Sequence, residues 1–98
     1  MSDRRYTFGP ELNFSQAAAI RQHLLQAFEQ GIRRFDLGRV ESCDSAGVQL
    51  LVALVKTGQA AGQPIEWDQL SSEVRGALDE LGLSDLTHTR TPLTDTAP

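Results

Sequence analysis

The spacing of apolar residues changes repeatedly along this chain, and this alternation constrains the fold more than any other feature. Short segments with apolar residues at every second position are typical of strands, and they lie at about 5–8, 33–38 and 64–68. Longer segments with apolar residues every three or four positions are typical of helices, and they lie at about 14–30, 46–61 and 72–81. The order β-α-β-α-β-α predicts a small α/β domain, in which helices pack against a mixed, mostly parallel sheet of about three to five strands.

Capping residues and glycines predict where the helices begin and end. Asn13 or Ser15 can cap the first helix. Ser71 or Ser72 can cap the third. A glycine follows each helix and can adopt the left-handed conformation at low cost. These glycines are Gly31, Gly62 and Gly82. The first strand is expected at a sheet edge, because Gly9-Pro10 interrupts it before it resumes at Glu11-Leu12.

Composition excludes several classes of function. The chain carries a net charge of −4, whereas nucleic-acid binding requires a basic surface. The single cysteine, Cys43, cannot form an internal disulfide or a thiolate metal site, and it is interpreted as a buried, inert thiol. His23 and His88 lie far apart without ligand spacing, so we expect no metal, no cofactor and no catalytic cluster. No apolar run approaches the roughly 20 residues of a membrane span, and a cytoplasmic protein is expected.

One domain accounts for most of the 98 residues. Residues 4–86 contain all the predicted elements, and a domain of this size can bury a modest core. Residues 87–98 hold five threonines and two prolines with little apolar content. This composition predicts a disordered tail.

A segment of small and polar residues, Asp44-Ser45-Ala46-Gly47, joins the second predicted strand to the second helix. Binding sites in α/β folds collect at such junctions, and small side chains would let the backbone of a partner approach closely. Asp44 is interpreted as a helix cap or a polar partner contact. Ser45 is interpreted either as a cap alone or as a phosphorylation site, since the start of a helix stabilises an added negative charge. A nucleophilic role for Ser45 is disfavoured, because no histidine has a defined place beside it.

The segment 35–48 resembles the signature of STAS domains, the group that includes the anti-sigma-factor antagonists. The resemblance rests on an apolar-Asp-Leu strand at 35–37, a loop containing Val40, and Asp-Ser-Ala-Gly at the start of a helix. It continues through Gly62 to Leu81-Gly82-Leu83. The resemblance implies a non-enzymatic, protein-binding switch. In such a switch Ser45, the first hydroxyl residue after the aspartate, is phosphorylated by a partner serine kinase, and phosphorylation breaks the docking.

A partner is expected to bind at the start of the second helix, where the resemblance implies the docking site. The residues expected to contact it are Asp44, Ser45, Ala46, Gly47, Gln49, Leu50 and Leu54. Leu50 and Leu54 belong to an excess of apolar residues on this helix, which means either deeper burial or a docking surface. The expected partner is a protein, such as a serine kinase that acts as an anti-sigma factor, without nucleic acid or membrane insertion.

Two other interpretations of the same resemblance stay open. One is a STAS subunit of a lipid-transport ATP-binding-cassette complex that maintains lipid asymmetry, in which the partner is an ATPase. The other is a chemotaxis-linked STAS regulator, suggested by the segment 46–51, in which the partner is a chemotaxis kinase.

Overall fold

The computed structural model describes residues 4–88 of the chain. Five strands are present in this part: β1 Tyr6–Thr7, β2 Glu11–Leu12, β3 Arg34–Leu37, β4 Ser42–Cys43 and β5 Glu66–Leu70. Three α-helices accompany them: α1 Ala17–Glu29, α2 Ser45–Ala60 and α3 Ser72–Glu80. Short 3₁₀ turns precede α1 at Phe14–Gln16 and follow α3 at Ser84–His88.

The strands form two small parallel sheets. One sheet has the order β1-β3-β5, and the other pairs β2 with β4. All three strand pairings are parallel, as expected for strands connected through helices. The predicted α/β class and the interrupted first strand are therefore confirmed.

The core lies between these strands and the helices. Phe35 and Leu37 of β3 are completely buried, and so are Val48 and Leu51 of α2. Helix α2 contacts both α1 and α3, which makes it the central helix of the domain. Its apolar residues on more than one face are explained by this position.

The helix ends confirm the local signals for α3 but not for α1. The Ser71 hydroxyl accepts a hydrogen bond from the Val74 amide at 3.2 Å and caps α3. Gly82 has a φ of 70°, and the Leu83 amide donates to the Leu78 carbonyl at 2.8 Å, which is a Schellman ending. At α1 the expected caps are wrong, because neither Asn13 nor the residue before α1 makes a side-chain capping bond. The Asn13 side chain instead bonds to Ser42 and Ser15.

One strand was not expected from the sequence, and two boundaries differ from the expectation. Strand β4 was not predicted, because it has only two residues and its pairing with β2 joins distant parts of the chain. Strand β5 lies at 66–70 instead of 64–68, since a bulge at Asp68 breaks the alternation that Ile65 and Trp67 begin. The last 3₁₀ turn extends two residues past the expected domain end at 86. The rest of the predicted tail, 89–98, lies outside the described residues.

An ion-pair cluster ties the three strands of the larger sheet together at Asp68. The Asp68 carboxylate accepts from the Arg5 guanidinium at 2.8 Å and from the Arg34 guanidinium at 3.2 Å. The Arg5 and Arg34 bonds hold the pKa of Asp68 below its ordinary value, against the opposing effect of desolvation. Arginines from two different segments therefore hold the bulged residue of β5.

Replacing this carboxylate is expected to cost a modest amount of stability. Asp68→Asn should lower the free energy of unfolding by about 1 kcal/mol at pH 7, because both arginines remain partly exposed. Since folding lowers the pKa of Asp68, the stabilisation is present above the unfolded value near 4. It is lost as the pH falls through the folded value. Urea unfolding of the wild type and of Asp68→Asn at pH 7 and pH 3 checks this. An equal difference in unfolding free energy between the two proteins at both pH values would contradict it.

Candidate functional site at the start of helix α2

The Asp44 side chain caps two helical segments at once. Its Oδ1 accepts from the Gly47 amide at 3.0 Å, which caps α2, and its Oδ2 accepts from the Phe14 amide at 3.0 Å. Phe14 begins the 3₁₀ turn before α1. The bond from Gly47 first, and then the bond from Phe14, lower the pKa of Asp44. The interpretation of Asp44 as a helix cap is thus confirmed. Its side chain also joins the start of α2 to the 3₁₀ turn before α1.

Gly47 allows α2 to lie directly on strand β2. A Cβ atom at this position would lie 2.9 Å from the Leu12 carbonyl carbon and closer still to the carbonyl oxygen. The sequence suggested that small residues here admit the backbone of a partner. At Gly47 the backbone that approaches is that of Leu12 in the same chain, and Gly47 itself is buried.

Ser45 is the first residue of α2 and is exposed. The cap is Asp44, so the interpretation of Ser45 as a simple helix cap is wrong. Within the described residues its hydroxyl makes no hydrogen bond. It therefore combines a free hydroxyl with the positive end of the helix dipole, an arrangement that favours an added phosphate.

An exposed aromatic residue is joined through its backbone to Asp44, the residue before this serine. Phe14 has 77% of its surface exposed, and its amide is bound to the Asp44 side chain. Leu25 on α1 is 51% exposed and lines a small cavity of about 130 Å³ between α1 and α2, together with half-buried Leu50. We call the exposed and half-buried residues around Ser45 the Ser45 surface. They are Phe14, Asp44, Ser45, Ala46, Gln49 and Leu50.

The residues expected to bind a partner divide into two groups. Asp44, Ser45 and Gln49 are exposed, and Ala46 and Leu50 are half-buried, so all five are accessible at one end of α2. Gly47 and Leu54 are buried, and Leu54 retains only 5% exposure. Leu54 therefore belongs to the core, and a docking surface stays a prediction for Leu50 alone.

Phe14 is the residue of this surface that sequence reasoning missed. Its position three residues before Ala17 would extend the apolar stripe of a regular helix and would predict burial. The first turn is instead a 3₁₀ turn, which changes the angular position of its side chains. The Asp44 bond to its backbone holds this turn, and that long-range bond has no local sequence signal.

Cys43 precedes the site on β4 and is half-buried. Burial, assisted by the negative charge of Asp44, raises the pKa of the Cys43 thiol to about 11. The thiol is protonated at neutral pH, so it lacks the thiolate character of reactive cysteines. The expected burial of Cys43 is therefore only partial, and its inertness stays a prediction.

Other classes of site find no support in residues 4–88. No group of three or more histidine, cysteine, aspartate or glutamate side chains in this range could hold a metal ion. None of the helices in the described range has the length and apolar character needed to span a membrane.

Comparison with known families gives a clear assignment. The family model described as Mlab, STAS domain, matches residues 9–89, which is most of the chain. The chain belongs to the STAS-domain family. This match includes the strand β3, the start of α2 and the whole of α3.

Comparison with a solved structure supports the same fold for this STAS domain. It is similar to the anti-sigma factor antagonist SpoIIAA in its unphosphorylated form, with a TM-score of 0.64 and 22% sequence identity. The similarity covers 88% of this chain and 81% of the SpoIIAA chain. No significant match is found among curated proteins.

Proposed function

We propose that this STAS domain is a non-catalytic, cytoplasmic switch that binds a partner protein through the Ser45 surface and is controlled by phosphorylation of Ser45. The observation that carries the proposal is a free, exposed serine hydroxyl that follows Asp44, whose carboxylate also binds the backbone amide of the 77% exposed Phe14. Large exposed aromatic residues often anchor protein interfaces. The similarity to SpoIIAA, whose structure is of an unphosphorylated form, supports this choice.

The chemistry of the surface explains how phosphate would act. A phosphate adds about −1.5 to −2 charges at pH 7 and lies next to the carboxylate of Asp44. The helix dipole stabilises this charge in the free domain. In a complex, however, a partner that packs on Phe14 and Leu50 would have to remove water from the charged phosphate, which costs free energy. Phosphorylation is therefore expected to leave the fold intact and to weaken binding.

The experiment compares Ser45→Asp and Ser45→Ala with the wild-type chain. Partners are captured from lysate of the source organism and identified by mass spectrometry, and the affinity of the purified partner is then measured. We expect Ser45→Ala to bind like the wild type and Ser45→Asp to bind at least about tenfold more weakly, a loss of about 1.4 kcal/mol. Equal affinity of wild type and Ser45→Asp would contradict the proposed switch.

Ser72→Asp is a matched control for this experiment. Ser72 is also an exposed first residue of a helix that follows a capping residue, but it lies on α3 outside the Ser45 surface. Both aspartates should change the free energy of unfolding by no more than about 0.5 kcal/mol. Only Ser45→Asp should reduce binding. A comparable loss with Ser72→Asp would show that the added charge acts nonspecifically.

A second candidate function is kept because the matching family model carries the name Mlab. In this alternative the chain is a STAS subunit that binds the ATPase of a lipid-transport complex constitutively through the same Ser45 surface. Two results together would select this alternative. The captured partner is an ATPase that binds wild type and Ser45→Asp with equal affinity, and Ser45 is unmodified in the cells from which the partner is captured.

A further inference from the structure

Strand β5 leaves one side of the larger sheet open. Among residues 4–88 it is an edge strand, paired only with β3. A groove of about 430 Å³ lies beside it, and four consecutive residues of β5, from Trp67 to Leu70, line this groove. The amides of Glu66 and Ser71 bond to the β3 side. Because successive backbone amides of a strand alternate in direction, those of Trp67 and Leu70 point to the open side, where they can pair with another strand.

Helix α3 forms the second wall of this groove. Arg75, Leu78 and Asp79 line it and share one face of α3, because residues three and four positions apart lie side by side. Ser84 lines one end, and its hydroxyl donates to the Asp79 carboxylate. An open strand edge facing a helix is an arrangement in which domains bind an extended peptide as an added strand. We call it the β5–α3 groove.

The charges of the β5–α3 groove favour an acidic occupant. Asp68 is neutralised by Arg5 and Arg34, and Asp79 accepts the Ser84 hydroxyl. The Arg75 guanidinium makes no hydrogen bond or ion pair with any residue between 4 and 88. The groove and its ion-pair partners therefore carry three arginines against two aspartates, on a chain whose net charge is −4.

We propose that the β5–α3 groove binds an extended, acidic segment of a partner protein, which adds to β5 as a further strand. A carboxylate of the segment pairs with Arg75, and an apolar side chain covers the half-buried Leu70. A second copy of this chain fits less well, because antiparallel pairing of two β5 strands centred on Asp68 places these aspartates opposite each other. The site shares no residue with the Ser45 surface, so it does not depend on the proposed function.

The only tryptophan of the chain, Trp67, provides a direct test, because it lines the groove. The full chain is titrated with the acetylated, amidated peptide Thr-Val-Glu-Val-Thr and with its counterpart Thr-Val-Lys-Val-Thr. Trp67 fluorescence reports affinity, and amide hydrogen exchange reports pairing of β5. We expect the glutamate peptide to bind at least about tenfold more tightly and to slow exchange of the Trp67 and Leu70 amides, which point to the open side of β5.

Two variants separate the groove from general charge effects. Arg75→Glu should reverse the preference between the two peptides, whereas Arg39→Glu, at an exposed arginine outside the groove, should leave it unchanged. The proposal is overturned if neither peptide binds, if both bind equally, or if Arg39→Glu has the same effect as Arg75→Glu. Slow exchange of the Trp67 and Leu70 amides without peptide would also overturn it, since the open side of β5 would then already be covered.

Discussion

Gly47→Ala is expected to prevent the domain from folding normally, with a loss of at least about 3 kcal/mol of unfolding free energy. The added Cβ would lie 2.9 Å from the carbonyl carbon and the Cγ of Leu12. Leu12 is fully buried and belongs to β2, which pairs with β4 directly before α2. Neither the strand nor the helix can move away without breaking this pairing or the Asp44 cap. Urea unfolding followed by circular dichroism measures the loss.

Gly76→Ala is the matched control, because Gly76 is also a glycine inside a helix. It is exposed on α3, and an added Cβ would have no heavy atom within 4 Å. Alanine has the higher helix propensity, so this variant should be more stable by about 0.5–1 kcal/mol. The two substitutions are therefore expected to have opposite signs. If Gly47→Ala and Gly76→Ala changed the free energy of unfolding similarly, the close approach of α2 to Leu12 would not require glycine at position 47.

The contrast between these glycines shows which parts of the fold can be predicted from sequence. The glycines that end helices act through their own backbone conformation, and Gly82 ends α3 as expected, with a φ of 70°. The requirement for glycine at position 47 comes from Leu12, which is far away along the chain. Local patterns thus predict helix ends, whereas the reason for this small residue becomes visible only after β2 and α2 pack together.

The candidate site follows the same rule. The junction around Ser45 could be identified, because a strand followed by small residues and a helix is a local pattern. The burial of Leu54 could not be decided, since it depends on where α1 packs against α2. The exposure of Phe14 depends on a bond from its amide to Asp44. The serine was therefore accessible to sequence reasoning, but the shape of the surface around it was not.

Asp44→Ala is expected to destabilise the domain clearly more than the loss of a single helix cap. Alanine removes both acceptors, so the amides of Gly47 and Phe14 lose their partner together. Ser71→Ala is the matched control, because the Ser71 hydroxyl caps only α3, and its loss should cost about 1 kcal/mol. Urea unfolding of both variants at pH 7 tests this order. An equal or smaller loss for Asp44→Ala would contradict the double cap.

Asp44→Asn is expected to keep one of the two hydrogen bonds, and it also allows a test by pH. An asparagine oxygen can accept from one of the two amides, while its own N–H group faces the other, so the loss should lie between those of the wild type and Asp44→Ala. Because the bonds from Gly47 and Phe14 lower the pKa of Asp44, its stabilisation is complete above the unfolded value near 4. It disappears as the pH falls through the folded value.

The difference in stability between wild type and Asp44→Asn should consequently be constant from about pH 5 to pH 7 and shrink below about pH 4. The same variant tests the link between fold and function, since Asp44 precedes Ser45 and its carboxylate holds the backbone of Phe14. Partner binding by Asp44→Asn should weaken even at pH 7, where the domain is still folded. Normal binding together with reduced stability would mean that Asp44 supports the fold alone and that the position of Phe14 does not matter to the partner.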